Sequence, residues 1–233
     1  MIGIINTGLG NIPSISSALN KLDCSFILCS NKNDLDRVNK IILPGVGSFK
    51  SFHEKIQNNN MFNLIDERVK NGTPILGICL GFHALFEKSL EFGNYNGFNF
   101  IKGKVENLTK LKISQRVPHV GWNNCKIVKD SELFNNISNG SNFYFTHSYT
   151  PINVNEKFIL CKTIYGIDLI TAVQKENIFG TQFHPEKSQK AGLELLKNFE
   201  LDLNQFYHSF LDEIVFQIYF LSQLNKLLLL NNQ

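Results

Sequence analysis

The sequence lacks the features that would point to a membrane, a secretory route or a nucleic acid. No apolar run reaches the ~18 residues that suggest a bilayer span, and the first residues form no basic segment ahead of an apolar one. The net charge is only +3 and the basic residues are dispersed, which does not favour a nucleic-acid partner. We therefore expect a cytoplasmic protein that spans no membrane and binds no nucleic acid.

Cysteine is sparse and shows no pairing pattern. The chain has five cysteines, an odd number, and no C-x-x-C pair, so neither a disulfide framework nor a zinc site is indicated. We expect reduced thiols, no metal and no cofactor. Cys24, Cys29 and Cys161 lie in apolar runs, which favours positions in the core, and Cys125 has no activating neighbour in the sequence.

The composition is that of an ordinary globular protein. Of 233 residues, 43% are hydrophobic and 18% are charged, which excludes wholesale disorder. With no linker, repeat or low-complexity tract before about residue 200, we predict one domain over residues 1–200. In the remaining tail, 201–233, apolar residues recur every two to four positions, which predicts an amphipathic helix. That helix could pack on the domain, bind a partner or a membrane surface, or be a non-native tail.

Short apolar runs alternate with helical patterns in the first half of the chain. The pattern predicts strands at 2–5, 25–29, 40–43 and 74–78, and helices at 12–22, 61–71 and 80–90. This alternation favours an α/β fold with a mostly parallel central sheet flanked by helices. From about 98 to 175 short strand-like runs predominate, followed by a strand at 178–183 and a helix at 192–199.

The strongest local signal is a cysteine between two glycines, Gly77-Ile78-Cys79-Leu80-Gly81. A predicted strand precedes it and a predicted helix follows, which is typical of a nucleophile elbow. The glycines remove side chains that would clash at the turn, and the helix N-terminus favours the thiolate. The amide of Leu80 is then free to stabilise an oxyanion. Taken alone, the motif fits a buried structural cysteine equally well.

His184 is the candidate general base for that thiol. It ends the last predicted strand, Pro185 fixes the turn, and Glu186 is placed to hold the imidazole. Cys79, His184 and Glu186 would form a triad if the two strand ends are neighbours. Alone, His184 would be interpreted as a surface histidine that caps the strand.

A glycine-rich turn, Pro44-Gly45-Val46-Gly47, ends another predicted strand. Its glycines let backbone amides turn toward a ligand, which suits the binding of a substrate and an oxyanion. A plain β-turn is the better interpretation if this segment is considered by itself. This turn follows a predicted strand, as the cysteine and histidine motifs do. The common position suggests that the three segments form one site.

Together these segments resemble the class I glutamine amidotransferases, and more narrowly the glutaminase subunits of imidazole glycerol phosphate synthase. The matching segments follow the family's order and cover about residues 1–199. They read T-G-L-G-N at 7–11, L-P-G-V-G at 43–47, G-I-C-L-G-F at 77–82, P-H-V-G-W-N at 118–123, F-Y-F-T-H-S-Y at 143–149 and G-T-Q-F-H-P-E-K-S at 180–188. The resemblance implies a flavodoxin-like class I glutamine amidotransferase fold, here with an extra C-terminal helix.

The resemblance implies hydrolysis of L-glutamine to glutamate and ammonia. In that reaction Cys79 attacks the carboxamide, His184 transfers protons and Glu186 orients His184. The backbone around Val46 is implied to act as a switch that presents an amide to the oxyanion. The residues expected to supply amides or to contact glutamine are Gly45, Val46, Gly47, Leu80, His83, His147, Ser148 and Tyr149.

The resemblance also implies a partner. Ammonia would pass through a tunnel into a (β/α)8 synthase subunit, within a heterodimer that makes imidazole glycerol phosphate and AICAR in histidine biosynthesis. The segment 118–123 would be a loop at the interface, with Pro118, His119, Trp122 and Asn123 as candidate contacts. Trp122 is the only tryptophan in the chain and suits an interface anchor, with a core tryptophan as the alternative.

Three departures from the family pattern occur, and two of them, His83 and the tail from 201 that lies outside the resemblance, keep other functions open. The elbow continues Gly81-Phe82-His83 where the family has Gly-Met-Gln, and the first turn reads Asn6-Thr7-Gly8 where the family has Asp-Tyr-Gly. Because the family's glutamine contacts the substrate, His83 leaves glutamine affinity open. One alternative is a paralogous glutaminase that supplies ammonia to a sugar amidotransferase of surface polysaccharide biosynthesis. The other is an inactive scaffold protein.

Overall fold

The fold is given by a computed structural model that describes residues 1–58 and 60–201. Over those ranges we number fourteen strands and six α-helices in chain order. The strands are β1 Ile2–Ile5, β2 Phe26–Cys29, β3 Lys40–Leu43, β4 Ile75–Ile78, β5 Phe86–Ser89, β6 Tyr95–Asn96, β7 Ile101–Asn107, β8 His119–Asn124, β9 Lys126–Ile127, β10 Asn142–His147, β11 Tyr149–Ile152, β12 Ile159–Ile164, β13 Asp168–Lys175 and β14 Ile178–Thr181. The helices are α1 Ile12–Asn20, α2 Lys32–Leu35, α3 Phe49–Asn58, α4 Met61–Lys70, α5 Leu80–Ala84 and α6 over residues 189–201.

Eight of these strands form the central sheet, in the order β2-β1-β3-β4-β14-β13-β12-β9. The first five are mutually parallel and the last three continue the sheet in antiparallel pairing. β1, β3, β4 and β14 are buried along their whole length, as parallel strands are when helices cover both faces of a sheet. The predicted α/β fold with a mostly parallel central sheet is confirmed.

The helices pack on both faces of that sheet. Successive strand residues such as Ile41 and Ile42 belong to different apolar clusters, because side chains alternate between the two faces of a strand. On one face α3 and α4 bury Phe52, Ile56, Ile65 and Val69. On the other face α1 and α6 bury Ile15, Leu19, Leu195, Leu196 and Phe199.

Two smaller sheets lie beside the central one. Strands β10 and β8 form an antiparallel pair, and β11-β7-β5-β6 form a four-stranded sheet. The predicted helix at 80–90 is therefore wrong beyond Ala84. Backbone amides at 98–101 donate hydrogen bonds to the carbonyls of Ala84 and Leu85. The distances are 2.8 Å from Phe98 N to Ala84 O and 3.0 Å from Phe100 N to Leu85 O. These bonds replace the next helical turn, and the chain leaves as strand β5.

The segment 118–123, predicted to be a loop, is also different. His119–Asn124 is strand β8, in register with β10 from His119 opposite His147 to Asn124 opposite Asn142. Glycine and asparagine are poor strand formers, so pairing with β10 rather than local propensity fixes this strand. Helix α3 had no sequence prediction, although Phe49, Phe52 and Ile56 are buried at helical spacing.

Several smaller predictions can be compared with the structure. Cys29, Cys125 and Cys161 are buried, but Cys24 is only partly buried, in the turn that follows α1. The predicted helix at 192–199 is present within α6. The predicted helical tail, 201–233, lies outside the described residues from 202 onward. Within the described ranges, no helix is both long and apolar enough to cross a membrane.

We predict that the aromatic packing of β10 is essential to stability. Phe143 is fully buried, stacked on Phe183 with 4.0 Å between ring centroids and edge-on to Phe134. Phe143→Ala should lower the free energy of unfolding in urea by about 3–5 kcal/mol because it leaves a cavity. Phe92→Ala, at a ring that is 76% exposed, is the control and should change it by less than about 0.5 kcal/mol. Similar losses in the two variants would contradict this account of the core.

Candidate active site

Three chain segments meet where adjacent parallel strands end. β4 lies between β3 and β14, with Gly77 opposite Leu43 and Ile78 opposite Thr181. The residues that follow these strands therefore leave the same edge of the sheet side by side, which is where open α/β sheets bind ligands. This register brings the Pro44–Gly47 turn, Cys79 and His184 together.

Cys79 occupies a strained turn between β4 and α5. Its φ of +55° and ψ of −104° lie outside the regions that a side chain normally permits. The turn is fixed by the Cys79 amide, which donates to Thr181 O at 2.8 Å. Neighbouring glycines are required by space, since a Cβ on Gly81 would lie 1.8 Å from Leu43 O and one on Gly77 2.6 Å from Gly81 O. The strain presents the Cys79 thiol at the sheet edge, as in a nucleophile elbow.

His184 and Glu186 form a buried hydrogen-bonded pair beside the thiol. The distance from His184 Nδ1 to Glu186 Oε1 is 2.8 Å, and the Glu186 side chain has no exposure to solvent. Burial lowers the pKa of His184, but the charge and hydrogen bonding of Cys79, followed by those of Glu186, together raise it to about 10. The carboxylate holds Nδ1 as the protonated nitrogen. Within the described residues Nε2 makes no hydrogen bond of ordinary geometry, and the Cys79 thiol donates to Thr146 O at 3.9 Å.

Two of the expected oxyanion amides, those of Val46 and Leu80, already donate to backbone carbonyls. Val46 N donates to Leu9 O at 3.3 Å, and Leu80 N donates to Gly45 O at 3.4 Å. The Leu80 amide, expected to be free, is thus engaged, because the Pro44–Gly47 turn places a carbonyl in front of it. In this conformation the site holds a nucleophile and a base without free amides from Val46 or Leu80.

A cavity of about 380 Å³ opens above Cys79 and His184. It is lined by seven of the eight residues predicted to supply amides or to contact the substrate, with Gly45 as the exception. Pro118, predicted at the partner interface, also faces this cavity. The lining residues are Val46, Gly47, Cys79, Leu80, His83, Glu91, Phe92, Pro118, Thr146, His147, Ser148, Tyr149 and His184.

Glu91 is a cavity residue that sequence analysis missed. Its side chain is buried, and Oε2 accepts a hydrogen bond from Phe49 N at 2.9 Å. Burial raises the pKa of this carboxyl, opposed by that hydrogen bond. In the sequence Glu91 is a single acidic residue near the end of an apolar run. The helix wrongly predicted at 80–90 gave no reason to place its side chain in the site. Glu91 is suited to bind a cationic group of a ligand in the cavity.

A chain of neutral histidines supports one wall of the cavity. His147 Nδ1 lies 2.8 Å from Tyr149 O, so Nδ1 carries the proton and Nε2 must accept. His119 Nδ1 lies 2.9 Å from that Nε2 and is therefore the donor. Burial lowers the pKa of His119 to about 4 and is the main cause that lowers the pKa of His147 to about 3. His119, predicted to contact the partner, is buried at 2% exposure.

His83 lies at the back of the cavity. It is buried, with Nε2 2.8 Å from Gln182 Oε1. Burial lowers its pKa to about 4, against the opposing effect of that hydrogen bond. The imidazole is therefore neutral at physiological pH. Among the described residues, no group of three or more His, Cys, Asp or Glu side chains is arranged to hold a metal ion.

Strand β8 presents an exposed apolar surface near the cavity mouth. Trp122 is 48% exposed and packs edge-on against Tyr144, so it is not a core tryptophan. Val120, two residues away on the same face of the strand, is 56% exposed, and we call Val120 and Trp122 the β8 surface. Asn123 is only partly buried and donates to Ile164 O at 3.1 Å. Exposed apolar side chains grouped in this way are typical of protein interfaces.

Comparison with known sequences gives consistent relatives. Residues 4–203 match the profile described as glutamine amidotransferase class-I. The imidazole glycerol phosphate synthase subunit HisH of Methanocaldococcus jannaschii is 45% identical over 201 residues, covering 85% of this chain and 98% of the relative. The protein of the same name from Aquifex aeolicus is 37% identical and covers 84% of this chain and 94% of the relative.

Solved structures with similar folds are more distant in sequence. A crystal structure of a glutamine amidotransferase superposes with a TM-score of 0.68 at 16% identity, covering 85% of this chain and 98% of that one. The structure of PurLQS from Thermotoga maritima gives a TM-score of 0.66 at 17% identity, covering 87% of this chain and 98% of the matched one. At such identities the likeness concerns the fold alone.

The neutral histidines predict a loss of stability in acid. The unfolded chain binds protons at these histidines near pH 6.5, whereas His83, His119 and His147 resist protonation until about pH 3–4 when folded. Between those limits the unfolded state binds more protons, so stability must fall as the pH falls. Each histidine contributes a slope of up to about 1.4 kcal/mol per pH unit.

Urea unfolding at about pH 7, 6 and 5 measures that slope. His147→Gln should make it shallower, because one buried histidine no longer gains a proton on unfolding. Asn63→Gln, on α4 and outside this cluster, replaces no titratable group and is the control that should keep the wild-type slope. An identical slope in His147→Gln and wild type would contradict the assignment of neutral buried histidines.

Proposed function

The chain belongs to the class I glutamine amidotransferase family, and on that premise we propose that it is the glutaminase subunit of an imidazole glycerol phosphate synthase. It hydrolyses L-glutamine to glutamate and ammonia for histidine biosynthesis in the cytoplasm. The observation that carries the proposal is Cys79 on its strained elbow in one cavity with the His184–Glu186 pair. The names of the relatives, matched over nearly their whole length, support the pathway.

Glutamine binds in the cavity above Cys79. Its α-ammonium pairs with the Glu91 carboxylate, which is the acidic side chain lining this cavity. Its carboxamide reaches the elbow, where His147, Ser148 and Tyr149 form the opposite wall. His83 contacts the substrate as a neutral imidazole, where the family has a glutamine side chain. Hydrogen-bond donors in the cavity wall fix the orientation of glutamine, and the cavity is large enough for one amino acid.

The first chemical step forms a thioester. The Cys79 thiolate attacks the carboxamide carbon, and the carbonyl oxygen becomes an oxyanion. His184, protonated because its pKa is raised to about 10, gives its Nε2 proton to the leaving nitrogen. The C–N bond breaks, ammonia leaves, and a glutamyl thioester remains on sulfur. Glu186 keeps the imidazole aligned throughout.

The second step hydrolyses that thioester. Acylation removes the negative charge on Cys79, which is a principal cause of the high pKa of His184. The pKa of the imidazole therefore falls, and Nε2 can accept a proton from water as it attacks the thioester carbon. The C–S bond breaks, the new γ-carboxyl releases its remaining proton to water as glutamate leaves, and the thiolate–imidazolium pair is restored. One water is consumed for each glutamine, and the same histidine acts first as acid and then as base.

Activation depends on the partner subunit. The Val46 amide is bound to Leu9 O and the Leu80 amide to Gly45 O. Neither amide can stabilise the oxyanion until the Pro44–Gly47 turn changes conformation. Binding of the synthase subunit favours the conformation in which the Pro44–Gly47 turn frees these amides. Ammonia is then released when the synthase subunit can use it. The partner is a (β/α)8 synthase subunit in a heterodimer, and ammonia passes to it through a tunnel. Pro118, Trp122 and Asn123 mark the docking side.

The other hypotheses are less well supported. Relatives from several organisms carry the imidazole glycerol phosphate synthase name, which favours that pathway over a sugar amidotransferase. An inactive scaffold is disfavoured because the strained elbow and the buried His184–Glu186 bond are both present. Strain of that kind persists at sites where it serves a function. His83 changes the pocket without removing a group from the triad.

We predict that Cys79→Ala abolishes glutamine-dependent activity while the complex still uses added ammonium salts. Without the thiolate no thioester forms, and turnover with glutamine should fall by at least about 10³-fold. Product formation by the complex with the synthase subunit is followed with glutamine and then with ammonium chloride. Cys24→Ala, a partly buried cysteine outside the cavity, is the control and should retain glutamine-dependent turnover. Substantial glutamine-dependent activity in Cys79→Ala would refute the nucleophile.

Trp122→Ala should weaken binding of the synthase subunit. A half-exposed tryptophan next to an exposed valine fits an interface anchor, whose removal costs about 2 kcal/mol or more, roughly 30-fold in Kd. Calorimetric titration of the two subunits measures the change. Val128→Ala removes a comparably exposed apolar side chain outside the β8 surface and should leave Kd within about twofold. Unchanged binding in Trp122→Ala would move the interface elsewhere.

A further inference from the structure

Ser188 has a buried hydroxyl that the triad chemistry leaves unexplained. It is 1% exposed and lies four residues after His184, just ahead of α6. Its Oγ donates to the carbonyl of His184 at 2.6 Å. The same Oγ accepts a hydrogen bond from the amide of Tyr144 at 3.0 Å. The hydroxyl thus acts both as a donor and as an acceptor. The hydrogen bond that it donates goes to the backbone carbonyl of the catalytic histidine.

A third bond closes the arrangement into a ring. His184 N donates to Tyr144 O at 2.9 Å, so the two backbone groups of His184 are both tied, directly or through Ser188, to one residue of β10. We call His184, Ser188 and Tyr144 the β10 clamp. His184 sits beyond the end of β14, where no strand pairing holds it. The carbonyl of His184 also accepts from Lys187 N at 3.1 Å within its own turn, and the clamp is what ties this turn to β10.

Helix capping does not account for this geometry. A serine immediately before a helix usually caps it, by accepting a hydrogen bond from an amide in the first turn. The amide that the structure pairs with Ser188 Oγ instead belongs to Tyr144, on a different element. The hydroxyl therefore points away from α6 and toward the His184 turn. Gly192 allows this close approach, since a Cβ there would lie 1.9 Å from Pro185 O and 2.8 Å from Ser188 Cβ.

We propose that Ser188 is a positioning residue for the glutaminase reaction, fixing the backbone of His184 so that Nε2 of its imidazole meets the sulfur of Cys79. Two restraints then act on the imidazole: Glu186 sets its rotation through Nδ1, and Ser188 sets the place of its backbone. Because Tyr144 also packs against Trp122, the clamp joins the histidine to the β10–β8 pair. This inference rests on the proposed function, which it deepens.

The positioning role predicts a change in rate rather than in glutamine binding. Ser188 does not line the cavity, so Ser188→Ala should leave the KM for glutamine within about twofold. A displaced imidazole is a poorer acid and base, so kcat of the complex with the synthase subunit should fall about tenfold or more. Ser141→Ala is the control, because Ser141 Oγ also donates to a nearby carbonyl, that of Ser138 at 2.7 Å, far along the chain from the triad. It should keep the wild-type kcat.

A second readout follows the thiolate–imidazolium pair without needing glutamine hydrolysis. Alkylation of Cys79 by iodoacetamide, quantified on its peptide by mass spectrometry, is measured from about pH 5 to pH 10. The titratable groups that act on His184 are Cys79, Glu186 and, across the cavity, His147. In Ser188→Ala the alkylation rate near neutral pH should fall severalfold and the profile should move to higher pH, because the imidazolium no longer supports the thiolate. A loss of packing alone would not shift that profile.

Ser188→Thr keeps the hydroxyl and should restore both kcat and the alkylation profile. Should Ser188→Ala fail to fold, Ser188→Cys keeps the side-chain size with a weaker donor, and an intermediate shift would support the proposal. A folded Ser188→Ala or Ser188→Cys with wild-type kcat and alkylation profile would overturn it. Absence of glutamate release by the wild-type complex would instead overturn the proposed function, and the alkylation profiles would still decide the role of Ser188.

Discussion

The parallel register between β4 and β14 is the constraint on which the site depends. The amide of Cys79 donates to Thr181 O at 2.8 Å, and this continuation of the strand pairing holds Cys79 at a φ of +55°. The same register places His184 three residues beyond Thr181, at the same edge of the sheet. A strained conformation persists only where its surroundings determine it, and here the surroundings are the most buried strands of the protein. The nucleophile and its base are thus positioned by the core.

Electrostatics then divides the histidines near the cavity into two kinds. His184, beside the Cys79 sulfur and the Glu186 carboxylate, has its pKa raised to about 10 and carries the mobile proton. Within the described part of the chain, no carboxylate pairs with His83, His119 or His147, and burial lowers the pKa of each, so they act as neutral hydrogen-bonding groups. The same residue type thus serves as proton carrier in one place and as cavity wall in the others, and burial with or without a charged partner decides which.

The sequence predicted those parts of the site that a short motif determines. The elbow around Cys79, the His184–Glu186 pair and the Pro44–Gly47 turn were all found, because each is a local pattern at the end of an apolar run. Glu91 and the interior position of His119 were not found, since both depend on pairings that link distant segments. Helix α5 was predicted too long for the same reason: the backbone at 98–101, not the local sequence, takes up the carbonyls of Ala84 and Leu85.

The engaged oxyanion amides show what sequence motifs alone do not determine. The P-G-V-G pattern predicts a turn that can present an amide, but only the structure shows the Val46 amide bound to Leu9 O and the Leu80 amide bound to Gly45 O. Cys79 and the His184–Glu186 pair lie at one edge of the sheet, while the amides of Val46 and Leu80 are bound to backbone carbonyls. We propose that binding of the partner or its ligand supplies the free energy that turns the Pro44–Gly47 segment and frees these amides.

The most direct test is glutamate release from glutamine by the purified chain, alone and then with the synthase subunit and its ribonucleotide substrate. We predict slow glutamate release by the chain alone. The rate of release should rise about tenfold or more when the synthase subunit and its ribonucleotide are both present. A rate that is equally high without the partner would contradict the claim that the oxyanion amides are withheld. A rate that stays at zero with every component present would contradict the glutaminase itself.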